Sequence, residues 1–446
     1  MSALLVALLL GCGVPDLPEV PRRPSILLIT LDTTRADHLP TYGYFRNTTP
    51  TLGNMASRSI VFERFMVPMA TTLPTHTSIL TGVHPLEHGV VANLKHGGKS
   101  FAPSEALIPF TALVKAARYQ TAAFTSATPL KSGTGIEEAF DHWDESRGPS
   151  RIASRTTDVA RTWLLRRRPK RPFFAWVHYF DAHTPLEPPA PYDVSYRDEP
   201  ALRGWLEARG VVESERRSGI ALDPVEAANL YDGELRFIDD QVGRLLDAVQ
   251  RAGWADRTIV IVVGDHGEGL GQHGESGHGT TWTEQLHAPF WIFSPWHAAR
   301  RVAVPVTAED VFPTLLGLVD IPGAEAFLAQ ASGVDALSPA ARRPLLHMSS
   351  AHRAQLGESA EASLTVGEWR YHQDTSGAET LYDLGADPFE RVSVADAFPL
   401  HARLLGTWTR EVRAARDRRG QVLGTTREVS LDPERVQQLE ALGYTE

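Results

Sequence analysis

The chain has 446 residues, with 44 Lys and Arg against 54 Asp and Glu, for a formal net charge of −10. Hydrophobic residues make up 42% and charged residues 22%, a globular balance that excludes disorder and fibrous repeats, while the acidic excess argues against a nucleic-acid binder. The single cysteine excludes an internal disulfide and any thiolate metal cluster.

The chain opens on MSALLVALLLGC. Its apolar run, Ala3 to Leu10, is too short for a membrane span of about 20 residues and suits the core of a signal peptide. Leu9-Leu10-Gly11-Cys12 resembles a bacterial lipoprotein cleavage box. That resemblance implies a signal peptide over 1–11, a lipidated Cys12 and a membrane partner. The protein would then sit on the bacterial cell envelope, at the periplasmic or outer-membrane face. Residues 13–24 are Pro-rich and read as an extended tether.

Strands and helices then alternate. SILLIT (25–30), FFAWVHYF (173–180) and TIVIVV (258–263) are continuous apolar runs, as strands buried on both faces require. TAAFTS (121–126) and FWIF (290–293) are shorter candidates. The clearest helix covers 224–252, where Tyr231, Leu235, Ile238, Val242, Leu245 and Val249 recur at steps of four and three. Asp223-Pro224 suits its N-terminus and Gly253 its stop. The basic run RRRPKR (166–171) closes a helix ahead of the next strand. This alternation predicts an α/β fold with a large, mostly parallel central sheet flanked by helices. Past residue 340, SLTVGEWRYHQD and ETLYDL read as a short antiparallel sheet and 395–417 as a helix. The expected division is a catalytic domain over 25–339 and a smaller C-terminal subdomain over 340–446.

Ligands of parallel α/β sheets sit at the carboxyl ends of strands. Three apolar runs close on such residues: Asp32, the pair Asp265-His266, and Asp181-Ala182-His183. Gly277-His278-Gly279 follows a Gly-rich stretch. Carboxylates with imidazoles suit a divalent metal. In TTLPTHTSILTG (71–82), Thr75 to Leu80 reads as a helix with Pro74 in its first turn. Thr72 then stands just ahead of a helix N-terminus, where anions are favoured. A hydroxyl there, beside a metal, can act as a nucleophile. An ordinary capping threonine is the alternative.

The stretches ILLITLDTTRADHLPTYGY, TLPTHTSILTGVHPLEHGV, HYFDAHTPLEPPAPY, VGDHGEGLGQHG, GHGTTWTE and ETLYDLGADPFER resemble the sulfatase family of the alkaline-phosphatase-like superfamily, in the family's order. The resemblance implies an α/β sandwich with a smaller C-terminal sheet. It places Asp32, Asp265 and His266 on metal-ligand positions and His183 on the histidine that contacts the sulfate or phosphate group. His278 precedes GTTWTE, where many members carry a sulfate-binding lysine. Thr72 falls on the Cys or Ser that members oxidise to formylglycine, whose hydrate attacks sulfur.

Three positions depart from the pattern. Thr72 replaces Cys or Ser, so no formylglycine aldehyde can form. His76 replaces the motif arginine, and Thr33 the second aspartate of an Asp-Asp pair. Unmodified threonine nucleophiles belong to superfamily members that transfer or hydrolyse phosphate groups, some with two metal ions. Here Asp32, Thr72, Asp265 and His266 would form one site, and Asp181, His183 and His278 a second. The expected activity is metal-dependent hydrolysis of a sulfuric or phosphoric ester of a small molecule, glycan or lipid, by attack of Thr72. His183, His278 and His76 would assist. The resemblance implies calcium for sulfatase-like chemistry and zinc or manganese for phosphoesterase-like chemistry. The alternatives are a phosphotransferase or phosphodiesterase and a non-catalytic anion-binding surface lipoprotein.

Overall fold

Ser25–Leu31 (β1) is buried along its whole length, as an uninterrupted apolar run requires in a sheet covered on both faces. The computed structural model describes residues 19–21, 23–93, 99–166, 171–211, 223–350, 361–424 and 426–442. The expected signal peptide, Cys12 and most of the basic run at 166–171 lie outside the described residues.

The strands that join β1 are Ile60–Phe62 (β2), Gln120–Phe124 (β3), His142–Asp144 (β4), Phe173–Tyr179 (β5), Thr258–Gly264 (β6), Phe290–Phe293 (β7) and Arg300–Val302 (β8). Across the sheet the order is β8-β2-β7-β6-β1-β5-β3-β4. β1 runs parallel to both its neighbours, β5 and β6. β7 is antiparallel to β6 and to β2. A four-residue apolar run carries no sign of its direction, so this reversal was not legible in FWIF.

Alternation along β1 divides the core. Ile26 and Leu28 pack into one layer with Phe62, Trp176 and Phe312. Leu27, Ile29 and Leu31 pack into the other with Leu235, Val242 and Trp291. Successive strand residues point to opposite faces, so one apolar strand serves both layers.

Three helices position the site. Thr72–Thr81 (α1) is buried at every residue. It starts at Thr72, with Thr71 as cap, earlier than the expected start at Thr75. Pro74 is the reason: proline fits the first turn, where its missing N–H is not needed. Ala153–Leu165 (α2) packs beside Pro224–Arg251 (α3). In α3, Asp223 caps by accepting from the Val225 amide at 2.9 Å, and Gly253 takes the left-handed conformation just past the end (φ 74°).

The C-terminal subdomain is an antiparallel sheet of Leu345–Met348 (β9), Ala362–Val366 (β10), Trp369–Gln373 (β11) and Glu379–Asp383 (β12), in chain order. Pro399–Leu423 (α4) lies against it. The helix expected at 395–417 starts later, because Phe398 precedes a proline and keeps a non-helical backbone (φ −127°, ψ 58°).

Candidate active site

The two central strands deliver the first two carboxylates. Leu31 and Gly264 are register partners of β1 and β6. Asp32 and Asp265, the next residues, leave the sheet side by side and are fully buried. Asp265 Oδ1 accepts the amides of His266 at 2.8 Å and Thr33 at 3.2 Å. Asp32 Oδ2 lies 3.1 Å from His178 Nε2. Asp32 Oδ1 and Asp265 Oδ2 have no hydrogen-bond partner. Burial pushes both carboxyls well above the ordinary carboxylate range, and repulsion from Asp32 raises Asp265 further.

The turn after β1 is held from α3. The Tyr231 hydroxyl donates to the Thr33 carbonyl at 2.6 Å and accepts the Arg35 amide at 2.8 Å. This grip keeps Thr33 in the left-handed region (φ 47°), uncommon for a β-branched residue. Past β6, a Cβ on Gly267 would stand 2.1 Å from the Glu284 carbonyl oxygen, so only glycine fits there.

His266 Nδ1 donates to the Gly267 carbonyl at 2.9 Å, which leaves the Nε2 lone pair directed at the centre. Nε2 lies 3.4 Å from Thr72 Oγ and 3.5 Å from Asp265 Oδ2. His76, one turn along α1, donates from Nδ1 to the Thr72 carbonyl at 2.8 Å. Its Nδ1 is also 3.5 Å from Asp265 Oδ2, and its buried Nε2 has no partner. Burial holds His76 well below its ordinary pKa, so it stands neutral where the sulfatase motif has an arginine.

Among the described residues, two trios of side chains have ligand atoms within 4.8 Å of one another: Asp32, Asp265 and His266; and His76, His178 and Asp265. Hydrogen bonding decides between them. His178 Nδ1 accepts the Ser126 amide at 3.3 Å, so the ring proton is on Nε2 and is donated to Asp32. A ring in that state has no lone pair left for an ion. Asp32, Asp265 and His266 are therefore the trio that could hold a cation, with Thr72 Oγ1 beside it and His178 orienting Asp32. The unpartnered oxygens of Asp32 and Asp265 suit a divalent cation, since a buried acceptor without a donor costs about 1–3 kcal/mol.

His183 and His278 meet beside this trio. His183 Nδ1 donates to the Thr184 carbonyl at 2.5 Å and His278 Nδ1 to the Ala70 carbonyl at 2.9 Å. Their Nε2 atoms face each other at 3.3 Å, and the His266 and His278 rings lie 4.3 Å apart. Burial, then the neighbouring His278, lowers His183 to about 3. The His278 loop is held by residues in and beside the C-terminal sheet. Arg370 donates to the Thr281 carbonyl at 3.3 Å, Glu361 accepts the Thr281 amide at 3.2 Å, and Glu390 accepts the Thr283 amide at 2.8 Å.

Asp181, expected in a second metal site with His183 and His278, faces elsewhere. Its Oδ1 accepts the Ala153 amide at the start of α2, at 2.9 Å, and burial raises it to about 7. The turn that returns the His183 amide to the Phe180 carbonyl separates the two side chains. Asp181 belongs to neither metal-binding trio. Two residues of the site were not foreseen. His178 sits inside the apolar run FFAWVHYF, and the one signal was an imidazole in an otherwise apolar strand. Glu268 is fully buried, and burial followed by repulsion from Asp32 raises it to about 8. Neither of its oxygens has a well-formed hydrogen bond, although the Thr184 amide lies close enough to oppose the rise.

A family model described as Sulfatase matches residues 24–321. An arylsulfatase of Clostridium perfringens is 26% identical over 368 residues, which cover 67% of this chain and 75% of the relative. Among solved structures, a Bacteroides fragilis protein described as a candidate yidJ sulfatase superposes with a TM-score of 0.75 at 17% identity, covering 92% of this chain and 100% of its own. The phosphonate monoester hydrolase of Agrobacterium radiobacter superposes with a TM-score of 0.70 at 19% identity, with the same coverage of 92% and 100%. These two likenesses show the shared fold: a mostly parallel sheet flanked by helices with a small antiparallel sheet beside it.

Proposed function

This chain belongs to the sulfatase family of the alkaline-phosphatase-like superfamily, and we propose that it is a metal-dependent hydrolase in which Thr72 attacks the ester and phosphoric esters are favoured over sulfuric ones. The observation that carries this reading is the Thr72 hydroxyl, buried at the first position of α1 and 3.4 Å from the lone pair of His266 Nε2. Family membership supports a sulfate or phosphate ester hydrolase; the nucleophile type supports the finer choice.

Asp32, Asp265 and His266 would hold a divalent cation. An imidazole among the ligands favours zinc or manganese over calcium, which prefers oxygen. Such an ion supplies Lewis acidity to the ester and lowers the pKa of a neighbouring hydroxyl. His178 fixes the Asp32 carboxylate, and Tyr231 fixes the turn that carries it. α1 adds the positive end of its dipole beside the hydroxyl.

The Thr72 hydroxyl releases its proton to solvent and its oxygen forms a bond to phosphorus as the bond to the leaving oxygen breaks. The His183–His278 pair can hold one proton between its Nε2 atoms, because each Nδ1 is committed to a carbonyl. A bound anion raises the proton affinity of the pair, which then protonates the departing oxygen. Water next attacks the phosphothreonine, the bond between phosphorus and Oγ1 breaks, Thr72 takes a proton from the attacking water, and the histidine pair is reprotonated from solvent. The same route is less suited to sulfate. Formylglycine hydrate expels sulfate by collapse through its second hydroxyl, and threonine has no second hydroxyl.

The test is turnover of p-nitrophenyl phosphate and p-nitrophenyl sulfate by purified protein, metal-stripped and then reloaded with zinc, manganese or calcium. Phosphate turnover that depends on zinc or manganese is expected. Sulfate esters cleaved far faster than phosphate esters would overturn the choice. We also assign the protein to the bacterial cell envelope through a lipid on Cys12, on the strength of the LLGC box. Cys12→Ser is expected to abolish processing and membrane retention; retention unchanged from wild type would refute the anchor.

A further inference from the structure

Exposed large apolar side chains are concentrated in one stretch of the chain. Among the described residues there are twelve, and six of them (Val392, Phe398, Leu400, Leu404, Trp408 and Val422) fall between 392 and 422. Leu400, Leu404 and Trp408 follow one another at helical steps of four on α4, so they share a face, with Leu400 76% exposed. The opposite face, through Leu405 and Thr409, is buried against the C-terminal sheet. Phe398 and His401 extend the apolar surface by packing their rings 5.2 Å from that of Trp369.

Charge singles out the same helix. Residues 399–423 carry six arginines against Glu411 and Asp417, a net +4 in a chain of −10. Arg416 and Arg419 turn inward to Glu87. Among the described residues Arg403, Arg413 and Arg418 make no ion pair, and Arg410 has a 3.8 Å contact with Glu379 and a hydrogen bond of 3.2 Å to Thr407 Oγ1. An exposed apolar stripe with an interfacial tryptophan and flanking arginines is the pattern of a helix that lies in a bilayer surface. The arginines complement phosphate headgroups, and acidic protein partners would not need the apolar stripe.

We propose that the outward face of α4 is a docking surface for an anionic lipid bilayer, with Leu400, Leu404 and Trp408 entering the headgroup boundary and Arg403, Arg410 and Arg418 meeting the phosphates. The interaction is reversible and separate from any lipid on the N-terminus. It leaves Thr72 and the cation site untouched, so it stands or falls independently of the proposed chemistry.

The test uses the full chain with Cys12→Ser, which removes its single thiol, and Leu404→Cys labelled with the environment-sensitive dye NBD. Vesicles with about 30% phosphatidylglycerol in phosphatidylcholine should shift the emission to shorter wavelength and raise it at least about twofold. Phosphatidylcholine alone, or raised salt, should weaken the response at least about tenfold. A label at Gln250, exposed at the end of α3, should not respond. Arg403→Glu, Arg410→Glu and Arg418→Glu together should weaken binding at least about tenfold while the melting temperature is kept. Unchanged emission at position 404, or an equal response to phosphatidylcholine, would overturn the proposal. So would a shift that grows with protein concentration without vesicles, since a second copy would then be the occupant.

Discussion

Asp32 and Asp265 follow register-paired residues of the two central strands, and each presents one buried carboxylate oxygen without a hydrogen-bond donor. Burial and mutual repulsion make the pair unfavourable when ionised and empty, and a divalent cation reverses that balance. Adding zinc or manganese to metal-stripped protein is therefore expected to raise its melting temperature. At a hundredfold excess over Kd the stabilisation is about 2.7 kcal/mol. Asp265→Asn should abolish most of that rise, as followed by calorimetry. A variant stabilised as much as wild type would show that the ion binds elsewhere.

His178 orients Asp32 through its Nε2 proton, which the Ser126 amide fixes by occupying Nδ1. It would act on a bound ion only through Asp32. His178→Ala is expected to weaken metal affinity about 10–100-fold, as loss of an outer partner does at metal sites generally. Isothermal titration with zinc reads this directly. Unchanged affinity would mean that Asp32 needs no such support.

The site residues differ in how legible they were, for physical reasons. Asp32, Asp265 and His266 directly follow long apolar strands, so the sequence places them at the tips of two strands. His178 lies one residue before the end of β5, and its role depends on a cross-strand neighbour that a single strand does not reveal. Asp181 and His183 share a strand tip in sequence, but the turn after Phe180 sends Asp181 to the start of α2. The fold was legible where the runs were long, at β1, β5, β6 and α3. Boundaries moved at Thr72 and Pro399, where a proline in the first turn set the helix start.

Glu234 offers a test of burial away from the reaction. Its Oε1 accepts the Glu187 amide at 2.9 Å, and burial followed by repulsion from Asp181 raises its pKa from 4.5 to about 9. Above 4.5 the native state keeps a proton that the unfolded chain releases, so this group's contribution to stability falls as pH rises toward about 9. Glu234→Gln mimics the protonated form. Its melting temperature should decline less than that of wild type between about pH 5 and 9. Parallel declines would show that Glu234 ionises in the fold near its ordinary pKa.

In the proposed reaction Thr72 is the nucleophile. Its hydroxyl lies at the first position of α1, beside His266 and the carboxylate pair. The most direct measurement is kcat/KM for p-nitrophenyl phosphate in zinc- or manganese-loaded wild type, Thr72→Ser and Thr72→Ala. Thr72→Ser should keep much of the activity, and Thr72→Ala should lose at least about 10³-fold, as removal of a nucleophile does. Near-full activity in metal-loaded Thr72→Ala would contradict attack by Thr72.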